Sequence, residues 1–130
     1  MNHQHKIANA LLFMRLAVFI VMLMWTLDKF INPDHSAAVY ANFYKIGGLG
    51  AEIFMLIGAL ELLLLLAFVT GFKKTISYGL VLIIHAVSTL STWQLYLDPF
   101  NNLLFFAAIP MLAACWALFS LRELDTRLSL

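Results

Sequence analysis

Three ionisable side chains stand inside otherwise apolar stretches of this sequence: Arg15, Glu61 and His85. A charge in hydrocarbon costs at least about 2.5–3.5 kcal/mol on insertion scales, so each needs a physical reason to be there. Counted from the side of the Gly71 turn, Glu61 lies ten residues from Gly71 and His85 ten from Thr75. Arg15 lies eight from Ile7. These matched depths predict one shared interior site, an Arg15–Glu61 ion pair with His85 alongside, lining a polar cavity. The competing reading is architectural. The pair then locks two helices together and His85 bonds a backbone carbonyl, since buried pairs can specify packing without adding stability.

Further along, His85, Ser88, Thr89 and Thr92 follow an i, i+3, i+4, i+7 spacing and share one helix face. Such a stripe suits a water or ligand path, or hydroxyls bonded back to their own helix carbonyls. Arg15, Met22, Trp25 and Lys29 form a comparable face predicted to meet it inside the bundle. Glu52, nine residues from Glu61, is half a turn out of phase with it. Much other chemistry is excluded. The one cysteine, Cys115, lacks the second thiol that disulfide exchange within a chain requires, and a cysteine-based zinc or iron–sulfur site needs several. Of the four histidines, His3 and His5 fall on a tail expected to be disordered, His35 in a loop, and only His85 in a span. The methionines lack a tight repeat and read as core filler. No metal is expected.

The elements that must position these residues follow from composition. The chain has 130 residues, 63% hydrophobic and 12% charged, with mean hydropathy +0.91. Half the usual charge density of about 25% cannot coat a water-facing domain of this size. Four segments, 7–27, 51–70, 75–97 and 103–121, approach the roughly 20 residues that cross a 30 Å hydrocarbon core. The predicted fold is all-α: one domain over residues 1–130, an integral membrane four-helix bundle with the lipid bilayer as its surroundings. A short interfacial helix is expected in the first outer loop, over Ala37–Lys45, capped by Asp34 or Ser36. Gly47-Gly48-Leu49-Gly50 reads as a hinge and Leu62–Leu66 as lipid-facing. Gly71-Phe72-Lys73-Lys74 reads as a tight turn between antiparallel neighbours. Asn101 or Asn102 is expected to cap the fourth span and Pro110 to kink it, with Ala113 and Ala117 as a close-packing face.

Lys6, Lys73, Lys74, Arg122 and Arg127 share one side of this topology, with Arg15 nearer to it, against Lys29 and Lys45 on the other. The positive-inside rule then predicts cytoplasmic N- and C-termini. Arg15 interrupts the first apolar run and no small-x-small site follows it, so a cleaved signal peptide is not expected. No basic stripe points to nucleic acid.

Several residues together resemble the DoxX-like family of small membrane proteins: an Arg in the first span, Asp28-Lys29-Phe30 and Pro33 after it, and an aromatic outer loop. Gly58-Ala59-Leu60-Glu61-Leu62 and the Gly71 turn add to it. The resemblance runs over roughly Leu11 to Leu124. It departs at Trp25-Thr26-Leu27, where the family usually has a Gly before the Lys, and in lacking the cysteine-rich last span of the methylamine-utilisation branch. It implies a four-helix protein of a bacterial inner membrane, near redox or quinone-linked enzymes. The expected function is a non-enzymatic accessory or subunit protein of a redox, quinone-linked or stress-related system. Its expected partner is a membrane or periplasmic protein or a second copy, and a quinone-like or other apolar ligand would sit near Arg15, Glu61 and His85. A small dimeric proton-coupled exporter is the alternative, since small multidrug transporters also have four spans and one mid-membrane Glu.

Overall fold

The computed structural model describes residues 2–130, and its regular elements are all helical. They are α1 (His3–Ile31), α2 (Pro33–Phe43), α3 (Ala51–Thr70), α4 (Lys74–Ser91) and α5 (Ala108–Ser120). A 3-10 turn over Leu103–Ala107 leads into α5, so that Leu103–Ser120 forms the fourth apolar stretch beside α1, α3 and α4. All four are long and apolar enough to cross a membrane. The chain is a multi-pass membrane protein. The long helices form a closed ring: α1 lies along α3, α3 on α4, α4 along α5, and α5 returns to α1. The α3–α4 turn and the segment after α5 mark the basal end; α2 lies at the other.

The packing is that of a membrane bundle. Leu11, Val18, Met22, Leu65, Phe68, Tyr78, Val81, Cys115 and Leu118 fill the core. Phe13, Ile20, Leu56, Leu63, Ile83 and Leu104 point outward and are exposed. A surface this apolar would aggregate in water, whereas lipid tails solvate it. Along α1 the buried residues are Ala8, Leu11, Arg15, Val18, Met22, Thr26 and Lys29. Their steps of three and four residues make one inward seam, with a cation in each half.

Two glycines set how the helices meet. At Gly71 (φ 72°, ψ 22°) α3 ends in a left-handed cap: Gly71 N–H donates to Phe68 O and Phe72 N–H to Ala67 O. This is the Schellman arrangement, which glycine enters without a steric penalty. Gly58 lies against Phe30, whose ring would come within 2.7 Å of a Cβ there. That approach fixes the register in which α1 lies on α3.

Several expectations shift. The first helix begins at His3, with Asn2 Oδ1 accepting from His5 N–H at 2.9 Å, so His3 and His5 are helical rather than a disordered tail. Helix α2 starts at Pro33, where a missing N–H costs nothing, and Asn32 takes the cap position without a side-chain bond. The third span, α4, stops at Ser91 rather than running to residue 97, because the chain tightens into 3-10 turns over Trp93–Leu97 and Pro99–Asn101. Asn102 takes the N-cap position of the 3-10 turn that opens the fourth span, its carbonyl accepting from Phe105 N–H, while the side chains of Asn101 and Asn102 bond back to Asp98. Pro110 falls in the first turn of α5, where it breaks no helical hydrogen bond. Leu63 and Leu66 face lipid, but Leu65 enters the core, since consecutive helical residues cannot share one face.

Candidate functional site

Arg15 and Glu61 do not pair; each has its own partners. Arg15 is fully buried at the basal end, with Nη1 3.2 Å from Asp125 Oδ1 and both side chains at 0% exposure. The same nitrogen donates to Tyr78 Oη at 3.2 Å, and Tyr78 O–H donates to Asp125 Oδ2 at 2.5 Å. Arg15 Nη2 donates to the carbonyls of Arg127 and Leu128. Leu128 takes a positive φ of 47°, which curls the chain around the guanidinium. Lys74 Nζ donates to Asp125 O at 2.5 Å, and Leu130 N–H to Thr70 O at 2.7 Å. The segment after α5 is thus folded under the bundle and fastened to α1, α3 and α4. Arg15 Nε and Asp125 Oδ1 remain without a hydrogen bond. These bonds join α1 to α4 and to the segment after α5, so the cluster fastens those parts together.

Lys29, the second cation of the α1 seam, lies 14 residues further on, about 21 Å along the helix. Its Nζ is 3.2 Å from Glu61 Oε2, and Thr26 Oγ1 donates to the same oxygen at 2.9 Å. The register set by Gly58 and Phe30 explains the correction. It brings residues 26–29 of α1 level with Glu61, and it leaves Arg15 beside the Gly71 turn. This pair is less enclosed, at 8% and 17% exposure. Tyr40 of α2 adjoins it: burial first, then the Glu61 charge, pushes the Tyr40 phenol up to about 12. Tyr40 also meets Phe54 and Tyr44 edge-on, with centroids 5.1 and 5.0 Å apart.

The remaining predicted site residues scatter. Trp25 is 51% exposed and stacks on His35, whose Nδ1 is 2.6 Å from Asp28 Oδ2. Thr26 takes the inward place that the helical face had given to Trp25. His85 is half-buried and bonds Val81 O at 3.0 Å, one turn back on its own helix. Thr89 is buried, and its carbonyl receives Thr92 Oγ1 at 3.0 Å and the Tyr96 hydroxyl at 3.1 Å. Ser88 is half-buried, and its carbonyl accepts from Ser91 Oγ. Two side chains of the polar stripe, those of His85 and Thr92, thus bond carbonyls of their own helix.

Asp125, Tyr78, Thr26 and Tyr40 were not legible as site residues. A buried Arg demands an anion, and Glu123 and Asp125 were the acids available on its side of the chain. That demand was the one signal.

A cleft of about 560 Å³ opens at the α2 end, between Asn42–Lys45 and the turn where α4 gives way to 3-10 helix. Phe43, Val87, Leu90 and Leu95 form apolar walls, with Lys45, Ser91, Thr92 and Gln94 as polar groups. Of the predicted residues only Thr92 lines it. No protein-family model, curated protein or solved structure matches the chain.

Proposed function

We propose that this chain is a non-enzymatic accessory protein of a bacterial inner membrane, akin to the DoxX-like proteins, serving a redox, quinone-linked or stress-related system. Its termini are cytoplasmic, and the α2 end meets a membrane or periplasmic partner or a second copy. The observation that carries the reading is the cleft at the α2 end. Its volume falls within the roughly 300–1,000 Å³ of ordinary ligand pockets, and its apolar walls with a few polar groups match their usual chemistry. A quinone suits it: Lys45, Ser91 or Gln94 can donate to a ring carbonyl while the isoprenoid tail leaves sideways into lipid. The ligand thus moves from the Arg15–Glu61–His85 region expected from sequence to the neighbourhood of Thr92.

Proton-coupled export draws less support. A transporting carboxylate must exchange a proton near working pH, whereas Glu61 holds Lys29 and Thr26. Purification in mild detergent, followed by solvent extraction and mass spectrometry, tests the proposal. Quinone should co-purify near one per chain and fall at least tenfold in Ser91→Trp, which fills the cleft. Quinone no richer than in the bulk membrane extract, or unchanged in Ser91→Trp, would sink it.

A further inference from the structure

The basal end carries more positive charge than its own contacts use. Lys73, Lys74 and Arg122 line a concavity of about 300 Å³, together with Gly71, Thr75, Leu130 and one acidic side chain, Glu123. Among the described residues none of the three cations forms an ion pair. Lys74 Nζ donates one hydrogen bond to the Asp125 carbonyl. Arg122 donates from Nε to Thr75 Oγ1 at 3.2 Å and from Nη1 to Phe119 O at 2.8 Å, with its guanidinium 4.5 Å from the Phe119 ring centroid. Among the described residues its Nη2 edge has no hydrogen-bond acceptor. Among the described residues the Lys73 ammonium has no hydrogen-bond or ion-pair partner and lies 5.8 Å from the Phe72 ring centroid, and the residue sits in the left-handed region (φ 50°, ψ 57°). Glycine or asparagine is the ordinary occupant of such backbone, so local conformation does not account for a lysine there.

The level of the pocket narrows its occupant. Phe72, Ile76 and Leu121 beside it are exposed apolar side chains, at the ends of helices that cross the membrane. The concavity therefore faces the boundary where hydrocarbon meets headgroups. We infer that it binds the phosphate headgroup of an anionic phospholipid, with the acyl chains lying along Phe72, Ile76 and Leu121. A phosphodiester is an acceptor-only anion, which a free guanidinium edge and two ammonium groups complement. Basic pockets between membrane helices at this level are suited to anionic headgroups. The site is separate from the cleft at the α2 end and does not depend on it.

The test uses the full chain in neutral detergent, titrated with phosphatidylglycerol, phosphatidylcholine or inorganic phosphate and read by native mass spectrometry. Phosphatidylglycerol should bind at least about tenfold more tightly than phosphatidylcholine. At about fivefold per cation, Lys73→Gln with Arg122→Gln should weaken it about 25-fold, and Lys73→Arg should retain it. Lys6→Gln with Arg127→Gln, the same charge loss at the same end, should leave the affinity unchanged. Thermal unfolding checks the fold of the double variant; should it fail, the exposed and unbonded Lys73→Gln alone should still show the fivefold loss. Equal binding of the two lipids overturns the inference. So does an equal loss in the Lys6 and Arg127 control, or inorganic phosphate competing as well as phosphatidylglycerol.

Discussion

At the basal end a cation of α1 meets its carboxylate in the segment after α5, both fully buried and both bonded to Tyr78, with the guanidinium also donating to two backbone carbonyls. At the α2 end a second cation of the same helix meets Glu61 of α3, reinforced by one threonine and partly open. The same chemistry therefore serves two purposes. Backbone carbonyls cannot move without moving the fold, so the Arg15 cluster fastens the chain. The Lys29–Glu61 pair is held by side chains alone, next to a tyrosine that feels its charge, so this end can respond to its surroundings.

Breaking the basal pair should have the largest effect. Arg15→Met strands the Asp125 carboxylate and should cost about 3–5 kcal/mol, measured by unfolding in a fixed detergent. Arg15→Met with Asp125→Leu should recover much of that loss. Strictly additive single effects would show that the two are not coupled. At the α2 end Lys29→Met should cost less, about 2 kcal/mol, because Glu61 keeps Thr26 and some access to polar surroundings. Lys29 and Glu61 should couple in a double-mutant cycle, whereas Arg15 and Glu61 should add within about 0.5 kcal/mol. Coupling between Arg15 and Glu61 would erase the distinction between the ends.

The smallest effect is one of pH. Tyr40 deprotonates near 10 when unfolded but near 12 in place. Between those values the unfolded chain has lost a proton that the folded chain keeps, so stability falls as pH rises. The contribution is complete below about pH 10 and is lost towards about pH 12. Tyr40→Phe should flatten that stretch of the stability profile, and Glu61→Gln should lower the Tyr40 midpoint seen by phenolate absorbance. An unchanged midpoint in Glu61→Gln would separate Tyr40 from the pair.

The four spans were legible because apolar runs of that length have few other uses. The Gly71 turn was legible because its left-handed cap asks for glycine. The pairing was not. Depth counted from Ile7 took the start of an apolar run for the edge of a span, while α1 begins at His3 and its register comes from Gly58 against Phe30. Asp125 stands in a polar stretch past the last span, which reads as solvated. Its burial depends on a guanidinium more than a hundred residues away, and local pattern carries nothing over that distance. Lys29 and Glu61 were both singled out, yet Glu61 was given to the wrong cation of the same helix. The interfacial α2 was legible from its aromatics, but the cleft it makes with α4 depends on α4 stopping at Ser91.

The fastening of Arg15 also sets an order in time. The carbonyl of Arg127 that holds it is 112 residues further along the chain. At ordinary translation speeds of about 5–20 residues per second, that stretch takes on the order of 10 s to synthesise. Until Asp125 has been made, Arg15 lacks the carboxylate of its native cluster, and a long arginine side chain is kept solvated by reaching towards the headgroups. The bundle tightens only when the ribosome has delivered the segment that draws that arginine inward.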